Sequence, residues 1–331
     1  MAQPGPTRGG HYRGRFAPSP TGFLHLGNAR TALVAWLRAR SFGGDFVIRV
    51  EDLDGPRTKP EAVSGNLSEL RWLGLDWEEG PDVGGPHGPY RQSERSALYA
   101  AALERLRADD RVFECYLSRK DLAEASGAPH GPAHTRVYSD ADRRRSAAIA
   151  SIKLAAGATP SWRFAVTDEE VSFADACLGE TRVRLARDFG HFVVRRADGL
   201  WAYQLAVVVD DAAMEVTEVV RGADLLTSTA AQLALYEALA LEPPGFAHVG
   251  LLQDVAGERL AKRSGALALT ELRTAGVRPE RVLGLLGHLL GVTEARTELS
   301  PAELLAAFDP ARHSCDPARL TPADLGWLTA G

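Results

Sequence analysis

The stretch from Gly14 to Asn28 combines residue types that can bind a phosphate group. It passes through a turn rich in proline and glycine and leads into a segment whose leucines recur at helical spacing. A turn that directs backbone N–H groups and a helix N-terminus to one point suits an anion, and His25 and Asn28 stand where this helix would begin. The pattern predicts a phosphate site, although a glycine turn alone is also typical of a capped strand-to-helix connection.

Two apolar segments predicted to be strands end in charged residues. Residues 46–50 lead into Glu51, and residues 215–220 lead into Arg221. In open α/β sheets ligands bind beyond the carboxyl ends of the strands, so we expect both side chains at a binding site. An arginine fork holds a carboxylate, and a carboxylate or a tyrosine receives an ammonium group. The residues predicted to form such a pocket for a zwitterion are Arg15, Glu51, Tyr203 and Arg221.

The polar segment 254–265 is flanked by glycines and contains the basic residues Arg259, Lys262 and Arg263. Cations in a mobile loop suit the transient capture of phosphates during a reaction. No arrangement of Ser, His and Asp, or of Cys and His, indicates a side-chain nucleophile. The predicted chemistry is therefore the positioning and neutralisation of phosphate groups.

A metal site is not predicted. Cys115 is followed by His130 and His134 at a spacing that can present two imidazoles to one ion, which makes these three the alternative zinc ligands, without an evident fourth. The other cysteines, Cys177 and Cys315, are distant in sequence and the total is odd. This favours a reducing compartment over a disulfide framework.

Composition bounds the class of protein. The chain has 331 residues, 45% of them hydrophobic and 24% charged, as in globular proteins with two or three subdomains. A net charge of −5 argues against a surface coated with positive charge for bulk nucleic-acid binding, while the arginines between residues 136 and 187 are either a solvated face or a contact for an RNA backbone. The N-terminus lacks a secretory apolar region, and no apolar run reaches the ~18 residues of a membrane helix. We therefore expect a cytoplasmic location.

Strand-like and helical patterns alternate over the first hundred residues, which predicts a parallel α/β sheet. The apolar run 200–211 could be a strand or a helix. The composition changes from about residue 109 to 187, which indicates an insertion. The predicted segments are a disordered tail (1–12), the first half of a Rossmann domain (13–108), an inserted α+β subdomain (109–187), the second half with its basic loop (188–263) and a short helical region (264–331).

Taken together, these stretches resemble the class I glutamyl-tRNA synthetase catalytic domain, and more closely the truncated glutamyl-Q tRNA(Asp) synthetases. The matching parts begin with residues 15–22 and with His25-Leu26-Gly27-Asn28, which resembles the family's HIGH motif. Residues 49–54, 203–211 and 219–224 follow in the family's order. Residues 259–263 fall at the KMSKS motif, where Arg259 and Ala261 replace the usual Lys and Ser.

The resemblance implies a Rossmann-type nucleotide-binding fold with an acceptor-like insertion and no anticodon-binding domain, and it implies the roles of individual residues. His25 and Lys262 would be catalytic, with Lys262 stabilising the leaving pyrophosphate. Glutamate would be bound by Arg15, Phe16, Ala17, Pro18, Ser19, Glu51, Tyr203 and Arg221. ATP, with Mg²⁺, would be bound by Pro18, Thr21, Gly22, His25, Gly27, Asn28, Arg259 and Lys262.

The same resemblance implies the partners and leaves two rivals. A monomer that activates L-glutamate with ATP and transfers it to queuosine in tRNA(Asp) is expected, because the segment after Arg263 is too short for an anticodon-binding region. The zinc knuckle of related enzymes is expected to be lost, because Leu117 stands two residues after Cys115 where a second cysteine would be. The rivals are an enzyme that charges the 3′ end of tRNA(Glu) and a catalytically silent RNA-binding or regulatory relative.

Overall fold

The structure, a computed structural model, describes residues 10–118, 121–122, 137–257 and 268–329. Most of the predicted tail 1–12 lies outside these ranges. The same is true of four residues with predicted roles: His130, His134, Arg259 and Lys262.

The strands are short. In chain order they are β1 (Arg13–Phe16), β2 (Asp45–Ile48), β3 (Val112–Cys115), β4 (Ser161–Phe164), β5 (Glu170–Asp175), β6 (Gly179–Arg184), β7 (Phe192–Arg195), β8 (Glu218–Gly222), β9 (Gly245–Val249), β10 (Leu252–Gln253) and β11 (Ala318–Arg319).

The helices follow the predicted pattern in the first hundred residues and after β8. They are α1 (Leu26–Ser41), α2 (Pro60–Trp72), α3 (Ser96–Ala108), α4 (Asp140–Ala155), α5 (Leu185–Asp188), α6 (Tyr203–Ala213), α7 (Leu226–Ala238), α8 (Leu269–Thr274), α9 (Pro279–Leu289), α10 (Pro301–Ala307) and α11 (Pro322–Thr329). Short 3-10 helices span Gly55–Arg57, Gln92–Glu94 and Ala223–Leu225.

A six-stranded sheet has the order β2-β1-β8-β9-β5-β6, with β5 and β6 antiparallel and the other neighbours parallel. The chain leaves β1 for β2 on one side and later returns to β8 on the other side. The carboxyl ends of these three strands therefore meet at a switch point, which is where open α/β sheets bind ligands. This confirms the predicted α/β class with a Rossmann-type sheet.

Helix α1 forms the centre of the main core. Its residues Leu33, Val34 and Leu37 are fully buried together with β1, β2 and α9, and each such side chain stabilises the fold by about 1.5–3 kcal/mol. Two residues after the helix ends, Gly43 has a φ of +63°, the left-handed conformation that glycine adopts without strain. A second core joins α3, α6 and α7 to the smaller antiparallel sheet β3-β4-β7.

Sheet pairing differs in two places from the predicted division of the chain. The hairpin β5–β6, inside the predicted insertion, joins the large sheet through the pairing of Asp175 with Phe246. Strand β7, assigned to the second Rossmann half, pairs with β4 in the small sheet. Hydrophobic patterns specify a strand but not its partner, which explains both differences. Most of the ambiguous run 200–211 belongs to helix α6. None of the described helices is long and apolar enough to cross a membrane.

The cysteine pattern favours a reducing compartment over a disulfide framework, but the structure contains one disulfide. Cys177, in the turn between β5 and β6, is bonded to Cys315, in the segment before β11. Sequence distance does not predict this pair, because the fold itself brings the hairpin turn against the C-terminal segment. Cys115 is a free, buried cysteine.

Candidate active site

His25 is the N-cap of α1, as the motif predicts. Its Nδ1 accepts hydrogen bonds from the backbone N–H groups of Gly27, at 3.1 Å, and Asn28, at 3.3 Å, and the Asn28 side chain accepts one from the His25 N–H. A neutral imidazole whose Nδ1 accepts carries its proton on Nε2, which makes Nε2 a donor at the helix N-terminus. A Cβ at Gly27 would lie 3.0 Å from this ring, so glycine permits the cap.

The segment that follows the basic loop returns to this motif. Ala268 forms an isolated antiparallel bridge with His25, and the N–H of Leu269 donates to the carbonyl of Leu24 at 2.9 Å. Lys262 and Arg259 lie outside the described residues. The described chain therefore resumes, at Ala268, directly beside the helix N-terminus.

The turn after β1 runs alongside the end of β2. The N–H of Arg49 donates to the carbonyl of Phe16, and the N–H of Glu51 donates to that of Pro18, both at 3.1 Å. Ala17 lies between these two contacts, and Ser19 lines the same cavity as Glu51. The predicted glutamate-binding turn and the predicted carboxylate are thus held side by side by backbone hydrogen bonds. Thr21 and Gly22 continue the turn toward His25.

A buried charge cluster supports this edge of the sheet. The Arg15 guanidinium contacts Asp211 through Nε and Nη2 at 3.3 and 3.5 Å and donates to the carbonyl of Val220 at 3.1 Å. Arg49, completely buried, donates to Asp211 at 2.6 Å and to Glu51 at 3.1 Å. Burial alone would raise the pKa of Asp211, but the two guanidinium groups hold it below its usual value. Sequence reasoning assigned no role to Arg49 or Asp211.

Glu51 is a carboxylate whose pKa is raised above its usual value. Its side chain is 9% exposed. Burial raises the pKa of Glu51, and the charges of Arg49 and Arg15 only partly offset that increase. Such a group gains from a positively charged ligand, because an ammonium group would stabilise its ionised form.

Arg221 is held in one orientation by neutral partners. Its Nε donates to Nε2 of His248 at 3.0 Å, Nη1 donates to the Tyr203 hydroxyl at 3.3 Å, and Nη2 donates to Thr229 Oγ1 at 2.7 Å. The side chain is 5% exposed. Because these three partners carry no charge, the fork is oriented while its own charge stays available to a ligand.

His248 is the neutral spacer behind Arg221. The two residues are register partners on β9 and β8. Because Arg221 Nε is always a donor, His248 Nε2 must accept, and the ring proton lies on Nδ1, which donates to Asp175 at 2.6 Å. Burial lowers the pKa of His248 despite the neighbouring Asp175 carboxylate, so the ring stays neutral. The hydrogen bonds to Asp175 and Arg221 fix its tautomer. Neither His248 nor Asp175 has a signal in the sequence pattern.

An open cavity of about 700 Å³ adjoins this set of residues. Its walls include Ser19 and Glu51 from the loops after β1 and β2, and Tyr203 from the start of α6. They also include Arg163, Arg196 and Trp201 from the small sheet and the segment after it. The volume is in the range of pockets that enclose a ligand of nucleoside size. Burial raises the pKa of Tyr203. Its hydroxyl accepts from Arg221, and Tyr203 lines the same cavity as Glu51. Arg49 and Asp211 connect Glu51 to Arg15.

The alternative zinc ligands do not form a site in the part of the chain that the structure describes. Cys115 is 2% exposed, and its sulfur lies 3.2 Å from the Tyr138 hydroxyl. It belongs to no set of three close metal-ligating side chains within the described residues. His130 and His134 lie outside them, so the predicted absence of zinc from these ligands stays a prediction.

Comparison with known proteins gives a consistent result. A family model described as "tRNA synthetases class I (E and Q), catalytic domain" matches residues 11–327. A glutamyl-Q tRNA(Asp) synthetase of Symbiobacterium thermophilum is 50% identical over 319 residues, which cover 96% of this chain and 98% of that protein. Glutamate–tRNA ligase 1 of Halorhodospira halophila is 44% identical over 94% of this chain, but the match covers only 65% of that longer protein.

Solved structures agree with the sequence comparison. A glutamate tRNA ligase from Elizabethkingia meningosepticum, crystallised in complex with its amino acid, superposes with a TM-score of 0.83 at 29% sequence identity. The similarity covers 96% of this chain and 68% of that one. The shared region is therefore nearly the whole of this chain.

Proposed function

Because the chain belongs to the class I tRNA synthetases of the E and Q group, we propose that it activates L-glutamate with ATP and transfers the glutamate to queuosine in tRNA(Asp). The observation that supports this best is that Glu51 and Tyr203 line one cavity at the switch of the sheet, where Tyr203 contacts the buried Arg221 and Glu51 is linked to the buried Arg15 through Arg49 and Asp211. The Symbiobacterium thermophilum relative, which is matched over 98% of its length, is named a glutamyl-Q tRNA(Asp) synthetase. We further propose that the protein acts as a cytoplasmic monomer.

In the bound state, Arg221 and Tyr203 hold the side-chain carboxylate of glutamate, and Glu51 receives its ammonium group. The α-carboxylate is the nucleophile and has to face ATP, so the buried fork of Arg221 is left for the other carboxylate. Arg15 and Ser19 lie on the segment that runs from this pocket toward His25, which sets the distance between amino acid and phosphates.

The first chemical step forms glutamyl-adenylate. An oxygen of the α-carboxylate attacks the α-phosphorus of Mg-bound ATP in line, and the bond from this phosphorus to the bridging oxygen breaks, releasing pyrophosphate. His25 Nε2 donates to a phosphate oxygen, and Lys262 neutralises the charge that develops on the leaving group. Positioning accounts for most of the rate, since no covalent enzyme intermediate is needed.

The second step transfers the glutamyl group. A hydroxyl of queuosine attacks the carbonyl carbon of the mixed anhydride, AMP leaves, and the hydroxyl proton passes to solvent. The cavity beside Glu51 and Tyr203 receives the nucleoside, with Trp201 available for stacking and Arg163 and Arg196 for the charge of the RNA backbone. These residues come from the side of the small sheet, so that part of the molecule faces the RNA.

Transfer of labelled glutamate tests this proposal. With ATP present, we expect acid-stable incorporation of glutamate into tRNA(Asp) that contains queuosine, and incorporation at background level into the same tRNA made without queuosine and into tRNA(Glu). Charging of tRNA(Glu) would support the first rival. Absence of glutamate-dependent ATP–pyrophosphate exchange without tRNA would support the silent relative.

The KM for glutamate is expected to rise on acidification. Glu51 has to be ionised to receive the ammonium group, and its raised pKa means that it takes up a proton at a higher pH than an ordinary glutamate side chain, whose pKa is about 4.3. Binding is therefore complete above this raised pKa and weakens as the pH falls through it. Pyrophosphate exchange measured between about pH 8 and about pH 5 gives the KM at each pH.

The matched control is Glu51→Gln. This variant should bind glutamate weakly at all of these pH values, with a KM that no longer follows pH, while the KM for ATP stays close to that of the wild type. A Glu51→Gln variant whose KM for glutamate stays within about twofold of the wild type at about pH 8 would contradict the role of Glu51.

A further inference from the structure

Three metal-ligating side chains meet away from the candidate active site. Cys177 lies in the β5–β6 turn, while His313 and Cys315 lie in the segment between α10 and β11. His313 Nε2 is 3.5 Å from the sulfur of Cys315 and 4.0 Å from that of Cys177, and all three ligand atoms lie within 4.8 Å of one another. Each side chain is partly buried.

The backbone around these side chains is fixed on both sides. The N–H of Cys177 donates to Asp175 Oδ1 at 2.9 Å, which closes the hairpin turn. On the other side, the N–H of Gly250 donates to the Cys315 carbonyl, and the N–H of Ser314 donates to Leu290, both at 2.7 Å. A Cβ at Gly250 would lie 2.3 Å from the backbone of the neighbouring segment, so glycine permits this close approach.

A buried arginine adds to this support. Arg30, on α1, is 1% exposed and donates to the carbonyls of Gly250 and Asp316. The segment that holds His313 and Cys315 is thus anchored to the helix that begins at His25. A preformed backbone of this kind lowers the entropic cost of binding an ion.

We propose that, once the Cys177–Cys315 disulfide is reduced, these two cysteines and His313 bind one zinc ion, with water as the fourth ligand. In a tetrahedral site with Zn–S near 2.3 Å and Zn–N near 2.0 Å, sulfur and nitrogen ligands are roughly 3.6 Å apart. The two sulfur-to-nitrogen distances already approach this value. Two thiolates and one imidazole are the donor set that zinc prefers over magnesium or calcium.

The disulfide form and the zinc-bound form of the protein exclude each other, because both use the sulfur atoms of Cys177 and Cys315. Reduction by a phosphine adds two electrons and two protons to the disulfide, and the phosphine takes an oxygen atom from water. Binding of Zn²⁺ to the two resulting thiols then releases their protons. In either form the β5–β6 turn is joined to the C-terminal segment. Asp175, the last residue of β5 before this turn, contacts His248 behind Arg221. The junction therefore supports the residues that position Arg221.

Zinc stoichiometry tests the proposal. The untagged protein is reduced with a phosphine, freed of reductant without air, mixed with excess Zn²⁺, passed through a desalting column and assayed for metal. We expect one zinc per chain in the reduced wild type and none in the oxidised protein. With Co²⁺ as a probe, we expect a thiolate-to-cobalt charge-transfer band and the d–d bands of a tetrahedral site.

Matched variants locate the ion. Cys115→Ser should retain the zinc and the cobalt spectrum, whereas Cys177→Ser, Cys315→Ser and His313→Asn should each lower zinc retention by at least about tenfold. Circular dichroism and glutamate-dependent pyrophosphate exchange establish that each variant is folded. Absence of zinc from the reduced wild type, retention of zinc by folded Cys177→Ser, or loss of zinc from Cys115→Ser would each overturn the proposal.

Discussion

Replacement of Arg221 by methionine is expected to lower kcat/KM for glutamate in pyrophosphate exchange by about 10²- to 10³-fold, because it removes one partner of a buried charge pair from the complex. The side chain is 5% exposed, so water cannot replace the lost contact with the substrate carboxylate. Most of the loss should appear in the KM for glutamate, since the contact is present before the reaction as well as in the transition state.

The matched control is Arg221→Lys, which keeps the charge but not the planar fork. Arg221 uses that fork to reach His248, Tyr203 and Thr229 simultaneously, and an ammonium group cannot reproduce this geometry. We expect a smaller loss of about tenfold. The KM for ATP should be unchanged in both variants. A glutamate KM for Arg221→Met within twofold of the wild type, in a protein that unfolds at the wild-type temperature, would remove Arg221 from the binding site.

Much of this pocket could be located from the sequence, for a reason specific to parallel sheets. Glu51 and Arg221 each follow an apolar strand, and strands β2 and β8 both flank β1, so their carboxyl ends meet at one edge. Arg221 contacts Tyr203, two residues from different elements that the sequence analysis assigned to one pocket. The roles of these residues in binding glutamate remain predictions.

The groups behind the pocket could not be predicted from the same pattern. His248 lies within an apolar strand and Asp175 at the end of an alternating one, and only the pairing of β5, β9 and β8 brings them to Arg221. Arg49 and Asp211 had a weak signal, because a charge inside or at the end of an otherwise apolar run has to find a buried partner. Which residue serves as the partner depends on the tertiary structure, and so does the pairing of Cys177 with Cys315.

Replacement of Lys262 by alanine is expected to slow glutamyl-adenylate formation by about 10²-fold or more, because a cation aimed at the leaving pyrophosphate stabilises charge that exists mainly in the transition state. The expected change is therefore in kcat, with the KM for glutamate close to that of the wild type. Single-turnover formation of glutamyl-adenylate, or ATP–pyrophosphate exchange at saturating glutamate, measures it directly.

The control variant is Arg263→Ala, which removes one positive charge from the same segment but leaves Lys262 in place. It shows whether the position of Lys262 or the net charge of the segment matters. If Lys262 acts at a defined point beside the helix that His25 caps, Arg263→Ala should lose less than about tenfold. The motivating observation is that Ala268, five residues after Arg263, forms a bridge with His25 at the N-terminus of α1. Equal losses in the two variants would mean that the segment attracts ATP only through its summed charge, and an unchanged exchange rate in Lys262→Ala would exclude Lys262 from the reaction altogether.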